Sequence, residues 1–108
     1  MSGNGRGGSD GAPSNGHTCP TVFTGARLVS SKEAALTSVK TGDILDLRVI
    51  QANTFILMAS NNGEDAGAVS HTATTQIIKC IQDGHTYVAY ITKRDGGNIE
   101  LEIRMVNA

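Results

Sequence analysis

Strict alternation of side chains from Asn98 to Val106 constrains the fold more than any other feature of the sequence. In this segment every second residue is apolar, and the residues between them are charged. The apolar positions are Ile99, Leu101, Ile103 and Met105, and the charged positions are Glu100, Glu102 and Arg104. A period of two is typical of a β-strand with one buried and one solvated face. The segment therefore predicts a strand of a small antiparallel sheet.

The residues before this strand predict a helix followed by a β-hairpin. Apolar residues with helical spacing are Ile77, Ile78 and Ile81. Asp83-Gly84 is a suitable helix end, because glycine readily adopts the left-handed conformation found there. The apolar run from Tyr87 to Lys93 then predicts the first hairpin strand, with the turn at residues 94–97.

Other segments extend this pattern towards the N-terminus. Strand-like runs cover residues 21–28 (with Gly25 as a bend or bulge), 44–51, 54–60 and 66–70. Ser30-x-x-Glu33 is a capping-box pattern that predicts a short helix over residues 31–39, and Ser70 or Thr72 is expected to cap the later helix. The fold class is therefore mainly β (α+β). The architecture is a small antiparallel OB/SH3-like barrel, or a strongly bent sheet, with two short helices.

The chain divides into a tail and one domain. The first 16 residues contain six of the 13 glycines and only two apolar residues, Met1 and Ala12. Such a segment cannot bury enough surface to offset the entropy of ordering it. Residues 1–17 are therefore predicted to be a disordered Gly-rich tail, and residues 18–106 a single small β-barrel domain.

Charge and hydropathy restrict the function classes. The formal net charge of −1 argues against strong electrostatic binding of nucleic acid, but it is compatible with a local basic strip. No apolar run is long enough to cross a bilayer, so membrane association is not expected. The N-terminus has no apolar stretch typical of a signal peptide, which predicts a cytoplasmic location.

The two cysteines and nearby histidines are the only candidates for a metal site. His17, Cys19, Cys80 and His85 could supply four zinc ligands, but neither pair has the tight spacing of a zinc knuckle. A Cys19–Cys80 disulfide is a second alternative, and two unlinked thiols are favoured in a cytoplasmic chain. No catalytic constellation is recognisable, so the sequence predicts neither an enzyme nor a cofactor.

A basic strip with one aromatic residue is the most suggestive group. Its members are Arg48, Tyr90, Lys93, Arg94 and Arg104. If Tyr90 points outward, the ring and the cations share one surface, and small barrels bind single-stranded nucleic acid with that combination. The alternative is an ordinary solvated face, with the cations interleaved between Glu100 and Glu102.

From Ile44 to Val106 the chain resembles the HIRAN-like domains, which are small β-barrels of DNA-processing systems. The likeness consists of strand order together with Gly67-Ala68-Val69-Ser70, the helix end Ile81-Gln82-Asp83-Gly84 and the strand Tyr87-Val88-Ala89-Tyr90. Where the family commonly carries an Asn-Pro-x-Asp-Pro-like stretch, this chain has Gln51-Ala52-Asn53-Thr54. The resemblance implies a binding module without catalysis and single-stranded DNA as its ligand. It assigns no site residue.

Two functional hypotheses follow. The first is a non-catalytic module that binds single-stranded DNA, or the end of a nucleic acid, through the basic strip. The second is a protein-interaction or assembly subunit of a larger complex, or a homo-oligomer, joined through the strand edge that an open barrel leaves free.

Overall fold

The computed structural model describes residues 18–106 and contains six strands and two short helices. The strands are β1 (Val22–Val29), β2 (Ile44–Gln51), β3 (Phe55–Asn61), β4 (Glu64–Ser70), β5 (Thr86–Asp95) and β6 (Asn98–Val106). The helices are α1 (Glu33–Leu36) and α2 (Thr74–Gln82). The predicted tail, residues 1–17, lies outside the described residues.

The six strands form a closed antiparallel barrel in the order β1-β4-β3-β2-β5-β6, with β6 returning to β1. Val22 pairs with Arg104 and Arg27 pairs with Glu100 across the closing seam. The predicted fold class is confirmed. Of the two predicted architectures, the structure shows the closed barrel and not the strongly bent sheet. The predicted open edge strand is wrong, because β1 and β6 bond to each other instead of ending the sheet.

The barrel interior is an aliphatic core that follows the predicted alternation. In β6, Ile99, Leu101 and Ile103 are buried while Arg104 is exposed. The largest fully buried side chains are Tyr87, Leu36, Leu45, Leu57, Ile77, Ile91, Ile99, Leu101 and Ile103. Burial of apolar surface at this scale is the main force that stabilises a small domain.

The two helices cover opposite ends of the barrel. Asn61, at the end of β3, donates a hydrogen bond from Nδ2 to the carbonyl of Ala35 in α1 at 2.9 Å. Phe55, at the start of β3, lines a small cavity together with Ile78 and Thr75 of α2. Because the two ends of one strand contact different helices, α1 and α2 lie at opposite ends of β3.

The helix starts differ from the predictions. The helix α1 spans only four residues and has no side-chain cap, so the Ser30-x-x-Glu33 capping box does not form; Ser30 has φ 53°. At α2 the N-cap is Ala73, and His71 provides the polar contacts instead of Ser70 or Thr72. The Nδ1 atom of His71 accepts from the Ala73 N–H at 2.9 Å, and Nε2 lies 2.6 Å from the Thr24 carbonyl of β1. The local contact at the start of α2 therefore comes from His71, whose ring is also held in place by the contact to Thr24 of β1.

The end of α2 confirms the prediction at Gly84. This glycine has φ 108°, its N–H donates to the Ile81 carbonyl, and the His85 N–H donates to the Cys80 carbonyl, both at 3.0 Å. This pair of bonds is the Schellman arrangement, which satisfies carbonyls that a helix end leaves unpaired. The turn sends the chain directly into β5.

Candidate nucleic-acid interface

A β-bulge in β5 decides which basic residues reach the outer surface. Ile91 pairs with Leu101 of β6, but the next pair is Lys93 with Glu100, so Thr92 is an additional residue in β5. A bulge shifts the two-residue alternation by one position. Lys93 consequently joins the outward face, on which Glu100 lies, and Arg94 is turned away from it.

Arg94 contacts α1 and does not belong to the outer surface. Its Nη1 donates to the carbonyls of Leu36 and Val39, the latter at 2.6 Å, and its Nη2 lies 3.2 Å from Oε1 of Glu33. Only 19% of its side chain is exposed. Arg94 therefore satisfies the carbonyls at the end of α1 and attaches the β5–β6 hairpin to that helix.

We expect Arg94→Met to lower the free energy of unfolding by about 2 kcal/mol, because buried carbonyls lose charged hydrogen-bond donors. Lys93→Met is the matched control, since Lys93 is exposed and forms no ion pair within residues 18–106. It should change stability by less than about 0.5 kcal/mol. Urea unfolding compares the two variants. Equal effects would contradict the assigned role of Arg94.

Tyr90 and Arg104 are neighbours on the outer wall, as the sequence suggests. The guanidinium carbon of Arg104 lies 4.5 Å from the centre of the Tyr90 ring, which is a cation–π contact. Nε of Arg104 also lies 2.5 Å from Oε2 of Glu102, the residue that pairs with Tyr90 across the strands. Half of the Arg104 side chain remains exposed. The planar guanidinium is thus held in place over an aromatic ring.

Arg27 completes this surface, and sequence reasoning missed it. Arg27 of β1 and Lys93 of β5 both pair with Glu100, so they lie on either side of it. Neither cation forms an ion pair within residues 18–106. The alternation in β1 is interrupted by the irregularity between Phe23 and Ala26, which obscures the outward position of Arg27 in the sequence.

We call this surface the outer patch. Its members are Arg27, Tyr90, Lys93, Glu100, Glu102 and Arg104. Three are cations and two are carboxylates, so the patch has a formal charge of +1 on a chain whose net charge is −1. The Tyr90–Glu102 pair lies between the pairs that carry Lys93 and Arg104. An aromatic ring therefore has cations on both sides along the strands.

Arg48 lies outside the outer patch. It is on β2 beyond the segment that pairs with β5, and its Nη2 is 2.5 Å from Oδ1 of Asp65 in β4. Both side chains line a shallow cleft of about 330 Å³, together with Lys32 and Ala35. The five residues predicted from the sequence are thus divided among three places: Arg48 in this cleft, Arg94 against α1, and Tyr90, Lys93 and Arg104 in the outer patch.

The cysteines form a disulfide. Cys19 and Cys80 are bonded with their Cα atoms 5.7 Å apart, so the favoured prediction of two free thiols is wrong. Both sulfur atoms are engaged, which leaves neither as a thiolate ligand for the zinc alternative. His85 is exposed beyond the end of α2, and His17 lies outside the described residues. Within residues 18–106, no group of three His, Cys, Asp or Glu residues could hold a metal ion.

Comparisons with known proteins give no relative for this chain. No protein-family model matches it, and neither the curated proteins nor the solved structures contain a match. The HIRAN-like resemblance is not tested by these results and stays a prediction. In the part of the chain that the structure describes, no helix is long and apolar enough to cross a membrane.

Proposed function

We propose that this barrel is a non-catalytic module that binds single-stranded nucleic acid through the outer patch. The observation that carries the proposal is the Arg104 guanidinium held 4.5 Å from the Tyr90 ring centre, on the same wall as Arg27 and Lys93. Proteins that bind single strands without sequence preference combine aromatic or guanidinium planes, on which bases stack, with cations that follow the phosphates.

The positions of the cations suggest how a strand would lie. Successive outward residues of a β-strand are about 7 Å apart, so the Lys93 and Arg104 pairs flank the Tyr90 pair at about that distance. A base would stack at Tyr90 and Arg104, with Arg104 next to the phosphate on its side of the base. The phosphate on the other side would lie near Lys93 and Arg27, which flank Glu100. Glu100 and Glu102 repel phosphates, so the affinity is weak and depends on low salt.

Binding to a fluorescently labelled oligothymidine, measured by anisotropy at low salt, tests the proposal. If Arg27, Lys93 and Arg104 each contact a phosphate, the plot of log affinity against log salt should have a slope of about −2. Tyr90→Leu should weaken binding roughly 5- to 100-fold, because one stacked base contributes about 1–3 kcal/mol.

Arg48→Gln is the matched control for Arg104→Gln. Both remove one arginine charge that is partnered by a carboxylate, but only Arg104 lies in the outer patch. We expect Arg104→Gln to weaken binding several-fold and Arg48→Gln to leave it nearly unchanged. No binding at low salt, or an equal loss in both variants, would refute the proposal.

Exposed aliphatic residues next to the outer patch favour a second candidate, self-assembly. Val22 pairs with Arg104, Ile44 pairs with Tyr90, and they are 45% and 50% exposed. Glu102 and Arg104 also place opposite charges side by side. In a dimer with a twofold axis, Arg104 of each copy could therefore pair with Glu102 of the other. Sedimentation of the wild type and of a further variant, Arg104→Glu, in the absence of oligonucleotide tests this candidate, which requires a concentration-dependent dimer that the substitution removes.

A further inference from the structure

Residues Thr18–Thr21 form a strap that ties the start of β1 to α2 and to the barrel end. The carbonyl of Thr18 accepts from Nε2 of Gln76 in α2 at 2.7 Å. The carbonyl of Pro20 accepts from the Tyr87 hydroxyl at 2.8 Å, and burial raises the pKa of that hydroxyl, which keeps it protonated as a donor. The Met105 N–H donates to the Thr21 carbonyl at 2.8 Å.

The disulfide is the one covalent attachment of this strap to α2. Cys19 belongs to the strap and is partly buried, whereas Cys80 lies on the inner side of α2 and is 0% exposed. Cys19 is therefore the sulfur that a reductant reaches first. Gln76 forms the side-chain hydrogen bonds between α2 and the strap at an exposed position, and such bonds contribute little in water. Sγ of Cys80 also lies 3.5 Å from the Thr18 carbonyl oxygen.

We propose that the Cys19–Cys80 bond is a redox-controlled attachment of the strap to α2. A thiolate of a dithiol reductant attacks Sγ of Cys19, the S–S bond breaks, and Sγ of Cys80 leaves as a thiolate that takes up a proton. The second thiol of the reductant then forms its internal disulfide and releases Cys19 as a thiol. The reductant loses two electrons and the protein gains them.

The barrel stays closed when the strap is released. The residue pairs between β1 and β6 run from Val22 to Arg27, and Thr21 of the strap adds its bond to Met105. The buried residues of the aliphatic core all lie outside the strap, and Cys19 packs against them as a partly buried neighbour. Reduction consequently acts on the strap and on the last turn of α2, while β3 and β6 keep their partners.

Hydrogen exchange measured by mass spectrometry tests this proposal. The full chain is compared in its oxidised form and after treatment with dithiothreitol. On reduction, exchange of the Lys79–Gln82 amides should rise about tenfold or more above the rise seen for β3 and β6 amides, which change only by the loss of global stability. The Cys19→Ser variant should show the fast exchange with or without dithiothreitol. Cys19 is replaced rather than Cys80 because substitution of the buried Cys80 could prevent folding.

Three results would overturn the proposal. One is two titratable thiols in denatured, unreduced protein, which would show that the bond does not form. Another is unchanged exchange in α2 after complete reduction. The third is an equal rise in the Lys79–Gln82, β3 and β6 amides, which would show that the bond stabilises the fold as a whole and does not act on the strap in particular.

Discussion

Replacement of Gly67 by alanine should lower the free energy of unfolding by about 1–3 kcal/mol, because the site has no room for a methyl group. A Cβ atom there would lie 2.9 Å from the carbonyl oxygen of Val29 and 3.1 Å from the Cα atom of Ser31. Both are backbone atoms, which cannot move aside as a flexible side chain can. The new methyl group would push β1 away from β4 where only three residue pairs join them.

Gly97→Ala provides the control for this substitution. Gly97 lies in the β5–β6 turn, and a Cβ there meets no atom within 4 Å, so the same chemical change should cost less than about 0.5 kcal/mol. Urea unfolding of both variants compares them directly. An unfolding midpoint of Gly67→Ala equal to that of Gly97→Ala would show that β1 and β4 are not in close contact in solution.

Loss of the Cys19–Cys80 bond should have the largest effect on global stability. The bond joins residues 61 positions apart, and the chain-entropy account assigns about 4 kcal/mol to a loop of that length. Small domains have about 5–15 kcal/mol of stability in total, so the reduced barrel should still fold but unfold at much lower denaturant. Urea unfolding with and without dithiothreitol measures the difference.

Cys19→Ser separates the bond from other effects of the reductant. This variant should resemble the reduced wild type, and dithiothreitol should not change its unfolding curve. A variant as stable as the oxidised wild type would show that the bond contributes nothing. Disulfides are rare in the cytosol, so the oxidation state of Cys19 in freshly isolated protein also bears on the predicted cytoplasmic location.

Much of the secondary structure of the barrel can be predicted from local sequence patterns. The alternation in β6 and the end of α2 at Gly84 both depend on residues within a few positions of each other. The helix starts are not readable in this way. Ser30 belongs to a capping pattern, yet its backbone takes a left-handed conformation, and His71 caps α2 through a side chain that also contacts β1.

The candidate site was predicted only in part because it depends on bulges. Tyr90 and Arg104 follow the simple alternation and lie together as expected. The additional residue Thr92 reverses the direction of Arg94, and the irregularity before Ala26 conceals Arg27. Gly25 indicates the irregularity in β1 already in the sequence, and the prediction of a bend or bulge there is confirmed. The bulge at Thr92 has no such signal, because it is set by how two distant strands fit. The disulfide likewise joins residues that only the finished fold brings together.

Closure by the first and last strands has a consequence for synthesis. The β6 partners of residues 22–27 are residues 100–104, which follow all the other strands in sequence. During translation β1 therefore remains unpaired on one side until residues 100–104 have left the ribosome. Pairing across such a separation is slow, and the waiting strand exposes backbone groups to other chains. The nascent chain is therefore the state of this protein that is most prone to aggregation.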